Sequence, residues 1–165
     1  MEVICNGKNV ELQKKDRKVG GEAPAVKVKM LSGEEKVIGM LADKVQVMIT
    51  LPYSHSLDDE LYSVINKHKA KANIYLISSD LFAYDVDGAF SSTDFANFSM
   101  KYGVYIDESI CAKSVFIIDK EGEIIYKDVL ADVKNKFDAN VLDEQMQKAI
   151  DFKKKGHTHE NWMGV

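Results

Sequence analysis

Hydrophobic and polar positions alternate early in the chain and then condense into apolar blocks. Val3-Ile4-Cys5 and Val10-Glu11-Leu12 flank Asn6-Gly7, a pair that tolerates positive φ and predicts a tight hairpin. After the loop Val19-Gly20-Gly21-Glu22-Ala23-Pro24, the alternation at Val26, Val28 and Met30 turns at Ser32-Gly33 into Lys36-Val37-Ile38. This predicts a second short hairpin on the rim. Val45 to Leu51 reads as a strongly buried strand that ends at Pro52, which cannot continue a central ladder. Leu57, Leu61, Val64, Ile65 and His68 then recur at helical spacing. Asn73 to Ser78 predicts another buried strand, and Phe95 to Tyr102 a short helix closed by Gly103. Val115 to Asp119 and Glu123 to Tyr126 form a hairpin across Lys120-Glu121-Gly122. Leu142, Met146, Ala149 and Ile150 mark the apolar face of a last helix, expected to run into Lys153-Lys154-Lys155 and stop at Gly156.

The order strand, helix, strand, hairpin, helix is that of a thioredoxin-like α/β core. The expected architecture is a central mixed sheet with flanking helices and an N-terminal β-hairpin. At 165 residues, with 45% hydrophobic and 29% charged positions, the chain suits one soluble domain. No internal repeat or low-complexity segment interrupts it. The net charge of -4 gives no reason to expect nucleic acid or an anionic membrane surface as a partner. No run approaches the roughly 18 apolar residues needed to span a bilayer. Met1-Glu2-Val3-Ile4-Cys5 does not open like a signal peptide. Cys5 and Cys111 are too few for a disulfide framework, so a reducing cytoplasm is expected.

Several segments together resemble the bacterial thiol peroxidases of the peroxiredoxin superfamily. They are the Asn6-Gly7 hairpin, Lys18 to Pro24, the strand ending at Pro52, Ser92-Thr93-Asp94-Phe95, Lys101-Tyr102-Gly103-Val104 and Ala112 to Gly122. The likeness runs in order over about residues 2 to 150, with a shortened region near 81 to 94. It implies a redoxin domain over residues 1–152, a C-terminal tail extension over 153–165, and a homodimer with contacts near the loop before Ser56. It also implies a site. In the family a proline is followed by a threonine four residues later, then by the peroxidatic cysteine three residues after that. An arginine on the strand before the aspartate–lysine–glycine turn completes the set. Here the pattern lands on Pro52, Ser56 and Asp59, with Lys113 in the arginine position. The resolving cysteine would fall between Leu81 and Phe90, where no cysteine occurs.

Peroxide reduction needs a polarisable thiolate that becomes a sulfenic acid. A carboxylate keeps the charge but is a poor nucleophile toward an O–O bond, and Lys113 lacks the bidentate fork of arginine. Three readings follow. The first is a degenerate thiol peroxidase retained as a binding or regulatory scaffold. The plain reading of these residues is a capping box, with Ser56 at the N-cap and Asp59 as the acid at the third position; the alternative is that Asp59 pairs with Lys113 and stands in permanently for the thiolate. The second is a redox enzyme using Cys111, whose strand spacing puts it on the face of Lys113, where its pKa could be lowered. Against it stands the reading of Cys111 as a small buried hydrophobe. The third is a metal protein. His157, His159 and Glu160 form a His-x-His-Glu run suited to zinc, copper or nickel, with His55, Asp58 or Asp59 as further ligands. The plainer reading is an extension packed by Trp162 and Met163. Apart from that transition metal no cofactor is expected, and the sequence names no ligand for the pocket. Cys5 reads as packing, His55 as a solvated loop residue and His68 as a half-buried structural one.

Overall fold

The computed structural model describes residues 1–13, 17–79 and 86–152. Strands β1 (Glu2–Cys5) and β2 (Lys8–Glu11) form the N-terminal hairpin. Its turn puts Asn6 at φ 53° and Gly7 at φ 78°, as the Asn-Gly pair predicts. Strands β3 (Val26–Lys29) and β4 (Glu35–Ile38) make the second hairpin. The main sheet contains β5 (Val45–Leu51), β6 (Ala72–Ser78), β7 (Phe90–Ser92), β10 (Ser114–Ile118) and β11 (Ile124–Val129), in the order β11-β10-β5-β6-β7. β5, β6 and β7 pair in parallel, and β10 runs antiparallel to both β5 and β11. A small ladder joins β8 (Tyr105–Asp107) to β9 (Ile110–Cys111). The helices are α1 (Asp59–His68), α2 (Phe95–Tyr102) and α3 (Ala139–Asp151). The expected thioredoxin-like α/β class, with its mixed sheet and N-terminal hairpin, is the one found.

All seven residues of β5 are buried, so the strand is covered on both faces. Side chains alternate between those faces. Val45, Val47, Ile49 and Leu51 point toward α1 and α3, where they meet Leu61, Ile65, Leu142 and Met146. Met48 joins Phe116 and Ile118 on the other face, against Phe98 and Tyr102 of α2. Each such aliphatic or aromatic side chain contributes about 1.5–3 kcal/mol by leaving water. The two polar residues of β5, Gln46 and Thr50, are satisfied internally. Gln46 accepts from Gly39 N at 2.9 Å and donates to Met40 O at 3.0 Å. Thr50 Oγ1 donates to Ala112 O at 2.8 Å and lies 2.5 Å from Ser114 Oγ.

Four sequence expectations change. The β3–β4 hairpin is not a rim decoration, because Val28, Met30 and Ile38 complete the core beneath α2. Its open end packs so closely that a Cβ on Gly39 (φ 90°), just after β4, would strike Pro24 O and Tyr102 Oη. α1 begins at Asp59, two residues after the first apolar position of its periodic pattern, Leu57. α3 stops at Asp151, and Phe152 is already extended, short of the lysines expected to end it. Finally, β7, β8 and β9 were not legible, since strands of two or three residues carry no period.

His68 is more buried than expected, 3% exposed, and ties the two helices on one face together. Its Nε2 lies 2.6 Å from Asp143 Oδ1, and Lys67 Nζ donates to Asp143 Oδ2 at 2.9 Å. These bonds, His68 first and Lys67 next, hold the Asp143 carboxyl below its ordinary pKa. A depressed acid stabilises fully above its unfolded pKa of about 3.9 and loses that stabilisation as pH falls through the folded value. Asp143→Asn is therefore expected to cost about 1 kcal/mol at neutral pH. The gap from wild type should close on acidification below about pH 4, as read from urea unfolding across a pH series.

Candidate functional site

The site suggested by the sequence lies beyond the C-terminal ends of β5 and β6, where the chain leaves the sheet at Pro52. A 3₁₀ turn over Ser54–Ser56 carries it to α1. Ser56 is buried, and its Oγ accepts from Tyr53 N at 3.0 Å while Ser56 N donates to Tyr53 O at 3.0 Å. That closes the turn on itself. Tyr53 Oη donates to Asn6 Oδ1 at 2.9 Å, latching the loop to the β1–β2 turn. His55 is exposed and stacks on Tyr53, with ring centroids 5.1 Å apart and planes at 5°.

The expected capping box across Ser56 and Asp59 is not formed. Asp58 is the N-cap, extended at φ -90° and ψ 174°, and its Oδ1 accepts from Leu61 N at 2.8 Å. Ser56 cannot cap α1 because its hydroxyl is spent on the preceding turn. Asp59 is the first helical residue, and it is exposed.

Lys113, between β9 and β10, is 3% exposed. Its Nζ donates to Asn135 O at 2.8 Å and lies 5.2 Å from the Phe137 ring centroid. Burial lowers its pKa, the charge of Asp58 opposes that shift, and Lys136 adds to it. The expected Asp59–Lys113 ion pair is absent among the described residues; the carboxylate whose field reaches the ammonium is that of Asp58. The segment holding Lys113 is itself fastened to the N-terminal hairpin. Leu130 N donates to Lys113 O, Ile4 N to Ala131 O, and Val133 N to Ile4 O.

The thiols are elsewhere. Cys111 has no exposed surface, and burial pushes its pKa up to about 11. The hydroxyls of Ser79, Ser99 and Thr50 oppose that rise only partly. Ser99 Oγ is buried without a well-aligned hydrogen-bond partner. Lys113 contributes nothing to this shift, so the expected lowering of the Cys111 pKa is overturned: one side chain is inside a hydroxyl-lined core, and the other turns to the Asn135–Phe137 segment. Cys5 is buried against Ile110 and Val133. Its pKa is raised by burial first and then by the charge of Asp107.

Among the described residues no three His, Cys, Asp or Glu side chains gather as a metal site, so His55, Asp58 and Asp59 do not form one. His157, His159 and Glu160 lie outside the described residues. Among the described residues no helix is long and apolar enough to cross a membrane.

No family model matches the chain. Curated relatives do. A thiol peroxidase of Aquifex aeolicus is 33% identical over 151 residues, covering 79% of this chain and 88% of that protein. A thiol peroxidase of Bacillus subtilis is 30% identical over 152 residues, covering 81% and 89%. The chain belongs to the thiol peroxidase family. Among solved structures, a peroxiredoxin-like protein from Aquifex aeolicus matches with a TM-score of 0.73 at 25% identity, over 90% of this chain and 96% of that one. A thiol peroxidase from Chromobacterium violaceum shares the fold, with a TM-score of 0.65 at 14% identity over 89% and 96%.

In this thiol peroxidase-family chain, the structure brings Ser56, Asp58 and the field of Lys113 to one end of the sheet and leaves Asp59 facing solvent. Sequence reasoning missed Tyr53, Asn135 and Phe137, which hold the loop and the lysine. Their segments carry no periodic signal, and contacts at such separations have no local signature. It also misplaced the cap, although an aspartate three residues before Leu61 was the available clue. Asp58→Ala is expected to destabilise the protein by about 1 kcal/mol. Asp59→Ala should change stability by no more than about 0.5 kcal/mol. Chemical denaturation of the two variants checks the reversal of roles.

Proposed function

We propose that this chain retains the thiol peroxidase framework as a binding or regulatory scaffold and does not reduce peroxide through position 59. The observation that carries the reading is the state of its two cysteines. Cys5 and Cys111 are both buried, and the pKa of each is raised. Peroxide reduction begins when a thiolate attacks one oxygen, breaks the O–O bond and releases hydroxide, leaving a sulfenic acid. A thiol with a pKa of about 11 is ionised to roughly one part in ten thousand at neutral pH. The helix N-terminus that could activate a nucleophile presents Asp58 and Asp59 instead. A carboxylate there cannot be recycled through a disulfide, and no cysteine occurs between 81 and 90 to resolve one.

Asp58 at the helix start and buried Lys113 then act as fixed charges that keep the old pocket folded. This reading supports a homodimer that uses the Tyr53–His55 loop, in a reducing cytoplasm where both thiols stay free. Hydrogen peroxide consumption, followed with a dithiol reductant, tests the loss of chemistry. Wild type and Cys111→Ser are both expected at the uncatalysed rate. Turnover in wild type that disappears in Cys111→Ser would overturn the proposal in favour of a Cys111 redox enzyme. The double variant Asp59→Cys with Lys113→Arg is expected to gain turnover. If it stays silent, the pocket has diverged beyond those two positions.

A further inference from the structure

The β3–β4 hairpin has a second edge. Met30 N donates to Glu34 O, and β3 pairs with β4 from Lys29 opposite Glu35 to Val26 opposite Ile38. Bonding alternates along an antiparallel ladder, so Val26, Val28 and Met30 bond to β4, while Lys27 and Lys29 turn their N–H and C=O the other way. At Lys29 both groups are taken up. Its N–H donates to Asp94 Oδ2 at 2.9 Å, and its carbonyl accepts from Ser92 Oγ at 2.6 Å. Leu31 N donates to Ser91 O at 2.9 Å. From Lys29 onward the edge is therefore closed by β7 and the approach to α2. At Lys27 it is open: among the described residues nothing bonds its outward N–H or C=O.

That open edge faces a groove of about 350 Å³ between β3 and α2. Ala25, Val26 and Lys27 form one side, and Asn97, Met100 and Lys101, which share one face of α2, form the other. Met100 is 42% exposed and supplies an apolar floor. The charges lining the groove are of one sign. Lys27 and Lys101 are both exposed, and among the described residues neither has an ion-pair partner. Arg17, whose Nε donates to Lys101 O at 2.9 Å, adds a third cation at the C-terminal end of α2. The acid at the other end of the helix, Asp94, is already bonded to Lys29 N.

The geometry points to this groove as a docking site for an extended acidic segment of another protein, added as a strand to the free edge of β3. An open strand edge is completed by a chain that carries its own N–H and C=O groups, which a peptide has and a nucleic acid lacks. The cations select an acidic peptide. The partner residue opposite Lys27 exchanges two backbone bonds with it, and its side chain stands on the face of the Lys27 ammonium, the place for a glutamate or aspartate. Its neighbours in sequence fall on the opposite face, toward Met100, the place for apolar side chains. The site deepens the binding-scaffold reading but shares no residue with the Ser56–Lys113 pocket, so its failure and a finding of peroxide turnover are separate outcomes.

Fluorescence anisotropy of a labelled peptide alternating glutamate and valine, titrated with the full chain, tests it. Saturable binding at micromolar protein is expected, weakening as salt is added. Lys101→Glu and Met100→Glu, at exposed positions of α2, should each weaken binding by about tenfold or more, with circular dichroism confirming that both fold. Methylating the glutamate amide nitrogens of the peptide, which removes the donors and keeps the charges, should weaken it as much. Absence of saturable binding to wild type overturns the proposal. Equal binding of the methylated peptide, or equal competition by a DNA duplex, would mark a plain anion-binding surface and overturns it too. Binding unchanged in both folded α2 variants would place the peptide elsewhere, which is also a refutation.

Discussion

Strand β5 is buried on both faces, so every polar group it carries must be satisfied inside the protein. Gln46 does this by reaching the backbone at Gly39 and Met40, which fixes the chain leaving the β3–β4 hairpin beside the sheet. Thr50 does it through Ala112 and Ser114, which fixes the register of β10 where the sheet meets the candidate pocket. The chain must then leave the sheet at Pro52, and the tight turn closed by Ser56 delivers α1 at a set angle. The two faces of one strand thus decide where both hairpins, the pocket loop and the first helix can be.

The electrostatics of the pocket follow from that placement. An isolated buried ammonium is costly, and Lys113 is tolerated because the Asn135 carbonyl, the Phe137 ring and the field of Asp58 each offset part of the desolvation. The 130–137 segment that provides the first two is pinned to the N-terminal hairpin through Ile4. The hairpin is therefore more than an appendage: it closes the wall against which the lysine rests. Tyr53, bonded to Asn6, ties the same hairpin to the opposite side of the pocket.

The two thiols show how neighbours in sequence can part in space. Cys111 and Lys113 are two residues apart, yet the thiol faces hydroxyls in the core while the ammonium turns to a different segment. Strand alternation would have kept them on one face, but β9 ends at Cys111 and β10 begins at Ser114. The break between the two short strands releases the alternation rule. Burial then dominates the Cys111 pKa, and the expected help from the lysine does not arrive.

By itself the sequence determined the order of the longer elements, the two-sided burial of the central strands, the Asn6-Gly7 turn and the Gly103 helix stop. Each depends on local backbone preference or on a hydrophobic period spanning several residues. The family resemblance also located the pocket loop and the lysine. Only the tertiary structure decided that Asp58 rather than Ser56 caps α1, that Asp59 faces water, that Lys113 is held by Asn135, and that α3 ends at Asp151. These outcomes turn on which of several competing acceptors a side chain meets once distant segments have docked. That competition is settled by packing geometry, which leaves no periodic trace in the chain.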